Sequence, residues 1–86
     1  VANMILHLGK DYIVPVKDVI FILNYENAND NEDTQNFLKK LEEKVEKVYI
    51  ASSEIKSIVY AKLMGREYLF YSPISSVTLY KRANNL

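Results

Sequence analysis

Apolar residues arrive in short runs separated by polar punctuation, and only one stretch keeps a helical period. Residues 4–8 are apolar except for His7 and predict a short strand, ended by the turn residues Gly9, Lys10 and Asp11. Residues 12–14 predict a second strand, closed by Pro15, which has no N–H to give a central ladder. A bend over 16–18 leads to Val19, Ile20, Phe21, Ile22 and Leu23, apolar at every position and rich in β-branched and aromatic side chains. Such a run predicts a strand with both faces covered. With one good helix in 86 residues, a second subunit is the expected source of the second cover.

Residues 27–33 are rich in Asn and Asp and predict a loop. They also place Asp30, Glu32 and Asp33 at the start of the next element, where negative charge meets the positive end of a helix dipole. That element is a helix over residues 34–47. Phe37, Leu38, Leu41, Val45 and Val48 fall on one face of it, while Lys39, Lys40, Glu42, Glu43, Lys44, Glu46 and Lys47 fall on the other. Phe37, Leu38 and Leu41 are the residues expected against the sheet.

Residues 49–53 predict a short strand or extended segment. Residues 57–63 and 67–71 predict paired strands, with Met64, Gly65 and Arg66 as the hairpin turn. In the first of these, Ile58, Tyr60 and Lys62 share one face; Val59, Ala61 and Leu63 share the other. Tyr68 and Phe70 share a face of the second. Ser72 and Pro73 predict the start of a short terminal helix, with Ser as cap, Pro at the first helical position, and Ile74 and Val77 sharing a face. The fold class is therefore α+β: a small mixed or antiparallel sheet, one amphipathic helix and a short C-terminal helix. Residues 4–86 read as a single domain, with Met4 as the native start and 1–3 as an expression scar.

Composition narrows the function more by exclusion than by indication. No cysteine is present, which excludes disulfides, thiol nucleophiles and Cys-ligated metals. No apolar run reaches the ~20 residues of a membrane span, so a cytoplasmic protein without membrane contact is expected. His7 is the lone histidine, and on a strand near a turn it reads as a structural residue. Neither a G-x-x-x-x-G-K-[ST] nor a G-x-G-x-x-G loop occurs, and none of the serines lies in a G-x-S-x-G context. No enzyme activity, cofactor, metal or small-molecule substrate is expected.

Net charge is zero, from 11 Lys+Arg and 11 Asp+Glu, but the charges are unevenly placed. Residues 1–33 hold two basic and six acidic side chains, residues 34–47 four and three, and residues 48–86 five and two. Ordinary surface scatter explains this; complementary edges that bring subunits together head to tail are the sharper reading. The seven tyrosines suit the rim of a small core and a subunit contact. A sheet face carrying Tyr60, Lys62 and Tyr68 is the nucleic-acid alternative.

Two stretches carry a family likeness: residues 4–14, reading Ile5-Leu6-His7-Leu8-Gly9-Lys10-Asp11-Tyr12-Ile13-Val14, and residues 56–83. The second contains Lys56-Ser57-Ile58-Val59, Tyr71-Ser72-Pro73-Ile74-Ser75-Ser76 and Thr78-Leu79-Tyr80-Lys81-Arg82. With Val19-Ile20 and Phe37-Leu38-Lys39-Lys40 between them, the sequence resembles the extracellular matrix regulatory protein B (RemB) family of Gram-positive, spore-forming bacteria, itself similar to the matrix regulator RemA. The likeness spans nearly all of the chain beyond residue 3. It implies an α+β subunit of a ring-like homo-oligomer that binds DNA and regulates biofilm-matrix transcription. It also implies that DNA contacts come from the loop before residues 57–63. That loop reads Ala51-Ser52-Ser53-Glu54-Ile55-Lys56, where Lys56 is the one cation and Glu54 stands where a basic residue would serve. Lys56, Lys81 and Arg82, repeated by symmetry, are the expected phosphate contacts. A protein-interaction module that has kept the fold and lost the DNA surface is the alternative, favoured by zero net charge and Glu54.

Overall fold

The structure, a computed structural model, describes residues 4–84. The segment read as an expression scar, 1–3, and the last two residues of the expected domain, 85–86, lie outside the described residues. The elements run β1 (Ile5–Gly9), β2 (Tyr12–Pro15), a 3-10 turn (Val16–Asp18), β3 (Val19–Asn24), α1 (Tyr25–Asp30), α2 (Glu32–Glu42), β4 (Glu46–Tyr49), β5 (Ser57–Leu63), β6 (Arg66–Ser72) and α3 (Ser76–Asn84). The α+β expectation holds. β1 and β2 form a separate antiparallel hairpin, and the main sheet has the order β3-β5-β6-β4. β3–β5 and β5–β6 are antiparallel while β4–β6 is parallel, so the sheet is mixed.

Three layers result. On one face of the sheet, Leu6, Leu8 and Val14 from the β1–β2 hairpin and Leu79 from α3 pack onto Ile22, Val59, Ala61 and Phe70. On the other, Ala28 of α1 and Leu38 of α2 cover Ile58, Leu69 and Tyr71. The alternation read from residues 57–63 is borne out: Val59 and Ala61 face the hairpin side, Ile58 and Tyr60 the α1–α2 side. Tyr68 and Phe70 stack on the same face, with centroids 5.6 Å apart. Tyr68 therefore lies on the opposite face from Tyr60, and the combined Tyr60–Lys62–Tyr68 face expected as a nucleic-acid alternative does not exist.

The wholly apolar run is not a central strand. β3 sits at an edge, and its apolar continuity comes from a bulge: Val19 pairs with Ala61 and Phe21 with Tyr60, which leaves Ile20 as the extra residue, half exposed. The bulge resets the alternation, so Val19 and Ile22 join one core cluster and Phe21 and Leu23 the other. The chain supplies both covers of its own sheet, so no second subunit is needed for them.

Four further expectations change. The segment 27–33 is mostly helical, because two asparagines act as caps. The side-chain oxygen of Asn24 accepts from the Asn27 N–H and that of Asn31 from the Thr34 N–H, each at 2.9 Å. The amphipathic helix ends at Glu42 and not near residue 47, because Val48 and Ile50 alternate with period 2 onto the hairpin-side core while Tyr49 stacks on Tyr71 across the sheet. Leu38 is buried and Leu41 half-buried as expected, but Phe37 is half exposed at the helix edge, 6.1 Å from Phe21. Finally, Ser72 ends β6 and does not cap a helix. α3 starts later, at Ser76, and Ser75 Oγ accepts from the Thr78 N–H. Val77 is exposed and Leu79 is the buried residue.

Candidate nucleic-acid interface

Lys56 is exposed and held by its backbone. Its N–H donates to the Ser72 carbonyl at 2.8 Å, and its carbonyl accepts from the Tyr25 N–H at 3.0 Å. It therefore sits at the end of the sheet where β5 begins, β6 finishes and α1 starts. Its charge has acidic company in the chain. Glu54, also exposed, is two residues before it in a left-handed conformation (φ 58°), and Glu26 lies in the first turn of α1. Exposed Lys10, next to Gly9 in the β1–β2 turn that packs on Pro73, is a second cation at this end.

Lys81 and Arg82 occupy the last turn of α3, both exposed. An Arg82 guanidinium N–H donates to the His7 carbonyl at 3.3 Å, and the Tyr80 hydroxyl donates to the Ile22 carbonyl at 2.7 Å. These bonds clamp α3 across β1 and β3. α3 begins beside Asn24, near the Lys56 end, and its last residues, Ala83 and Asn84, lie beside Val16 and Val19. The helix thus carries Lys81 and Arg82 away from Lys56, and the three expected cations form two separate groups.

The Tyr-Ser-Pro-x-Ser-Ser string builds a corner of the fold. Ser72 Oγ donates to the Leu8 carbonyl at 2.6 Å and accepts from the Ile74 N–H at 3.0 Å; Ser57 Oγ donates to the Ile74 carbonyl at 2.7 Å. Both serines are wholly buried. Pro73 packs so closely that a Cβ on Gly9, whose φ is 121°, would meet its ring and Ile50 at 3.3 Å. The Tyr71 hydroxyl donates to the Glu42 carboxylate while its ring stacks on Tyr49 at 4.4 Å. Burial, then the hydrogen bond to Glu42, pushes the Tyr71 phenol well above the ordinary tyrosine range. These groups join the hairpin, the sheet and α2; they face the interior and are not displayed for a ligand.

A further exposed basic group lies at the other end of the sheet, where the sequence reading weighed Lys62 but took residues 64–66 only as a turn. Lys62 and Arg66 are exposed beside the β5–β6 turn, and Met64 at its tip is completely exposed (103%). The sequence signal was present, as a long apolar residue between two cations at a hairpin apex. Among the described residues, no group of three or more His, Asp or Glu side chains could hold a metal ion, and no helix is long and apolar enough to cross a membrane.

Fold and surface together define a small α+β domain built on a four-stranded mixed sheet, with exposed cations at both ends of the sheet and along its helices. No family model matches the chain. It is 39% identical over 80 residues to extracellular matrix regulatory protein B of Bacillus subtilis (strain 168), a match spanning 93% of this chain and 90% of that protein. The chain belongs to the extracellular matrix regulatory protein B family.

Proposed function

We propose that this protein is a cytoplasmic, homo-oligomeric transcriptional regulator that binds DNA through phosphate contacts, without catalysis, cofactor or small-molecule substrate. The observation that carries the reading is membership of a family named for matrix regulation. The exposed cations Lys56, Lys81 and Arg82 support it, since each is free of burial and each would repeat in every subunit. Duplex binding of this kind is dominated by counterion release, so affinity falls steeply with salt and depends little on base sequence. A mobility-shift titration at low and moderate salt, with light scattering on the same samples, is the test. A salt-sensitive shift by a discrete oligomer is the expected result. A 10 kDa monomer that leaves DNA unshifted at low salt would refute it.

A second reading is favoured by one specific feature, the placing of Glu54 and Glu26 around Lys56. On that reading the protein is an interaction module that works on another protein. Comparing Lys56→Ala with Glu54→Arg separates the two. A DNA-binding loop predicts weaker binding from the first and tighter binding from the second. An interaction module predicts no DNA binding from wild type or either variant.

A further inference from the structure

The β5–β6 hairpin overhangs its sheet. On one side β3 pairs with β5 no further than Ala61, and on the other β4 pairs with β6 no further than Tyr68. Residues 62–67 therefore continue as a two-stranded ribbon, paired only with each other through Lys62–Glu67 and Leu63–Arg66, with Leu63 still packed on the hairpin-side core. Its turn is Met64-Gly65, with φ of 51° and 84°. Two successive positive φ values make a type I′ turn, whose first central position suits Asn, Asp or Gly. A long side chain in that conformation costs stability, and the fully exposed thioether chain gains no burial in return. Folding thus gives no reason for a methionine here.

The residues around it are charged in a definite pattern. Lys62 lies on the Tyr60 face of the ribbon and Arg66 on the Tyr68 face, so one exposed cation flanks the apolar tip on each side. Glu67 stands across the ladder from Lys62 on the same face, half-buried and accepting a hydrogen bond from the Tyr60 hydroxyl, while Arg66 has no carboxylate as its cross-strand partner. A narrow β-ribbon with an apolar apex and cationic flanks has the chemistry of an arm that enters a minor groove, unstacks a base step and holds the phosphates on either side.

We propose that this ribbon is a DNA-bending finger, with Met64 as the wedge in the minor groove and Lys62 and Arg66 as its phosphate contacts. The proposal rests on the DNA-binding reading above, and it moves the principal contact to the opposite end of the sheet from Lys56.

The test uses the full chain and a duplex of about 30 base pairs carrying a fluorophore at each end, read by anisotropy for affinity and by energy transfer for bending. Wild type should bind and shorten the end-to-end distance. Met64→Asn keeps the turn, because Asn accepts the left-handed conformation, and thermal unfolding checks that the fold is intact. This variant should lose most of the bend and bind several-fold more weakly. Lys62→Ala with Arg66→Ala should reduce the slope of log affinity against log salt by about two for each engaged finger. If Met64→Asn binds and bends as wild type does, the finger is wrong while the DNA-binding reading stands. If the variant instead lowers the oligomer mass and leaves bending unchanged, the tip is a subunit contact and the finger is again overturned. If wild type binds no DNA at low salt, both readings fall together.

Discussion

The two ends of the β5–β6 hairpin are made from the same pair of strands and are built to opposite rules. At the open end, Ser57 and Ser72 face each other across the ladder, both wholly buried, and their hydroxyls reach the Ile74 and Leu8 carbonyls. Gly9, Ile50, Pro73 and the start of α1 close around them. At the turn end, no strand pairs with the hairpin beyond Ala61 and Tyr68; Leu63 still packs on the core, but Met64 is fully exposed. Polar groups buried at one end are satisfied by design of the fold, while an apolar group exposed at the other satisfies nothing in it. One end is therefore a structural joint, where the string that carries the family likeness serves packing. The other leaves Lys62, Met64 and Arg66 exposed.

The largest effects should come from the layers that both ends share. Leu69 is fully buried at the centre of β6, and Leu69→Ala should cost roughly 2–5 kcal/mol through lost burial and a residual cavity. Lys62→Ala, a few residues away on the overhang, should stay within about 0.5 kcal/mol. Urea unfolding measures both; equal costs would mean that the overhang is packed and the contrast between the ends is false. Next comes the joint itself. Ser72→Ala leaves the Leu8 carbonyl and the Ile74 N–H without their partner, at a cost of about 1–3 kcal/mol. Ser57→Ala removes a single bond, to Ile74, and should cost less. A loss from Ser72→Ala no greater than that from Ser57→Ala would show that one hydroxyl does not hold the hairpin to the sheet.

The sequence made the strands legible because their chemistry is local. Period 2 over residues 57–63, Gly65 at an apex and a hydrophobic stripe at Leu38 and Leu41 each follow from neighbouring residues. What was not legible depended on partners distant in the chain. The bulge at Ile20 exists because β3 pairs with β5, about forty residues on; both faces of the run are covered as expected, but from within the chain, which no local pattern shows. Ser72 carries the side chain of a helix cap, and only the position of Leu8, 64 residues earlier, shows that its hydroxyl is spent elsewhere. The helix over 34–47 was read too long since Val45 and Val48 fit a helical period as well as they fit the parallel strand beside β6. Asn24 and Asn31, by contrast, were readable caps in a segment whose polarity alone suggested a loop. For the candidate site, the residues Lys56, Lys81 and Arg82 are exposed as expected, yet their separation depends on the direction in which α3 crosses the sheet, which no local pattern carries.

A smaller effect tests the joint through its pH dependence. Tyr71 holds its proton more tightly in the folded state than in the unfolded chain, because burial and Glu42 both disfavour the phenolate. A raised folded pKa contributes stability that is complete below the unfolded value, about 10, and declines as pH rises above it. Tyr71→Phe should therefore cost on the order of 1–2 kcal/mol at neutral pH, from the lost bond to the carboxylate. Above pH 10, wild type should lose stability faster than the variant, and the two unfolding curves should converge. Parallel curves up to pH 11 would show that the Tyr71–Glu42 bond does not tie β6 to α2.

The smallest effect belongs to the exposed end and has the opposite sign. Met64 occupies a left-handed position that asparagine tolerates far better, and its side chain has no core to leave. Met64→Asn should stabilise the fold by roughly 0.5–1 kcal/mol, seen as a rise in Tm with an unchanged denaturant m-value. An Asn-Gly turn is the commonest way to close a two-residue hairpin, so relief of backbone strain is the whole of the expected gain. Gly65→Ala is the matching control: open space surrounds the added methyl, but φ of 84° strains it, so this variant should lose stability. If Met64→Asn destabilises instead, the methionine packs against something within its own subunit or oligomer. The turn end would then be a second structural joint, and the difference between the two ends of the hairpin would disappear.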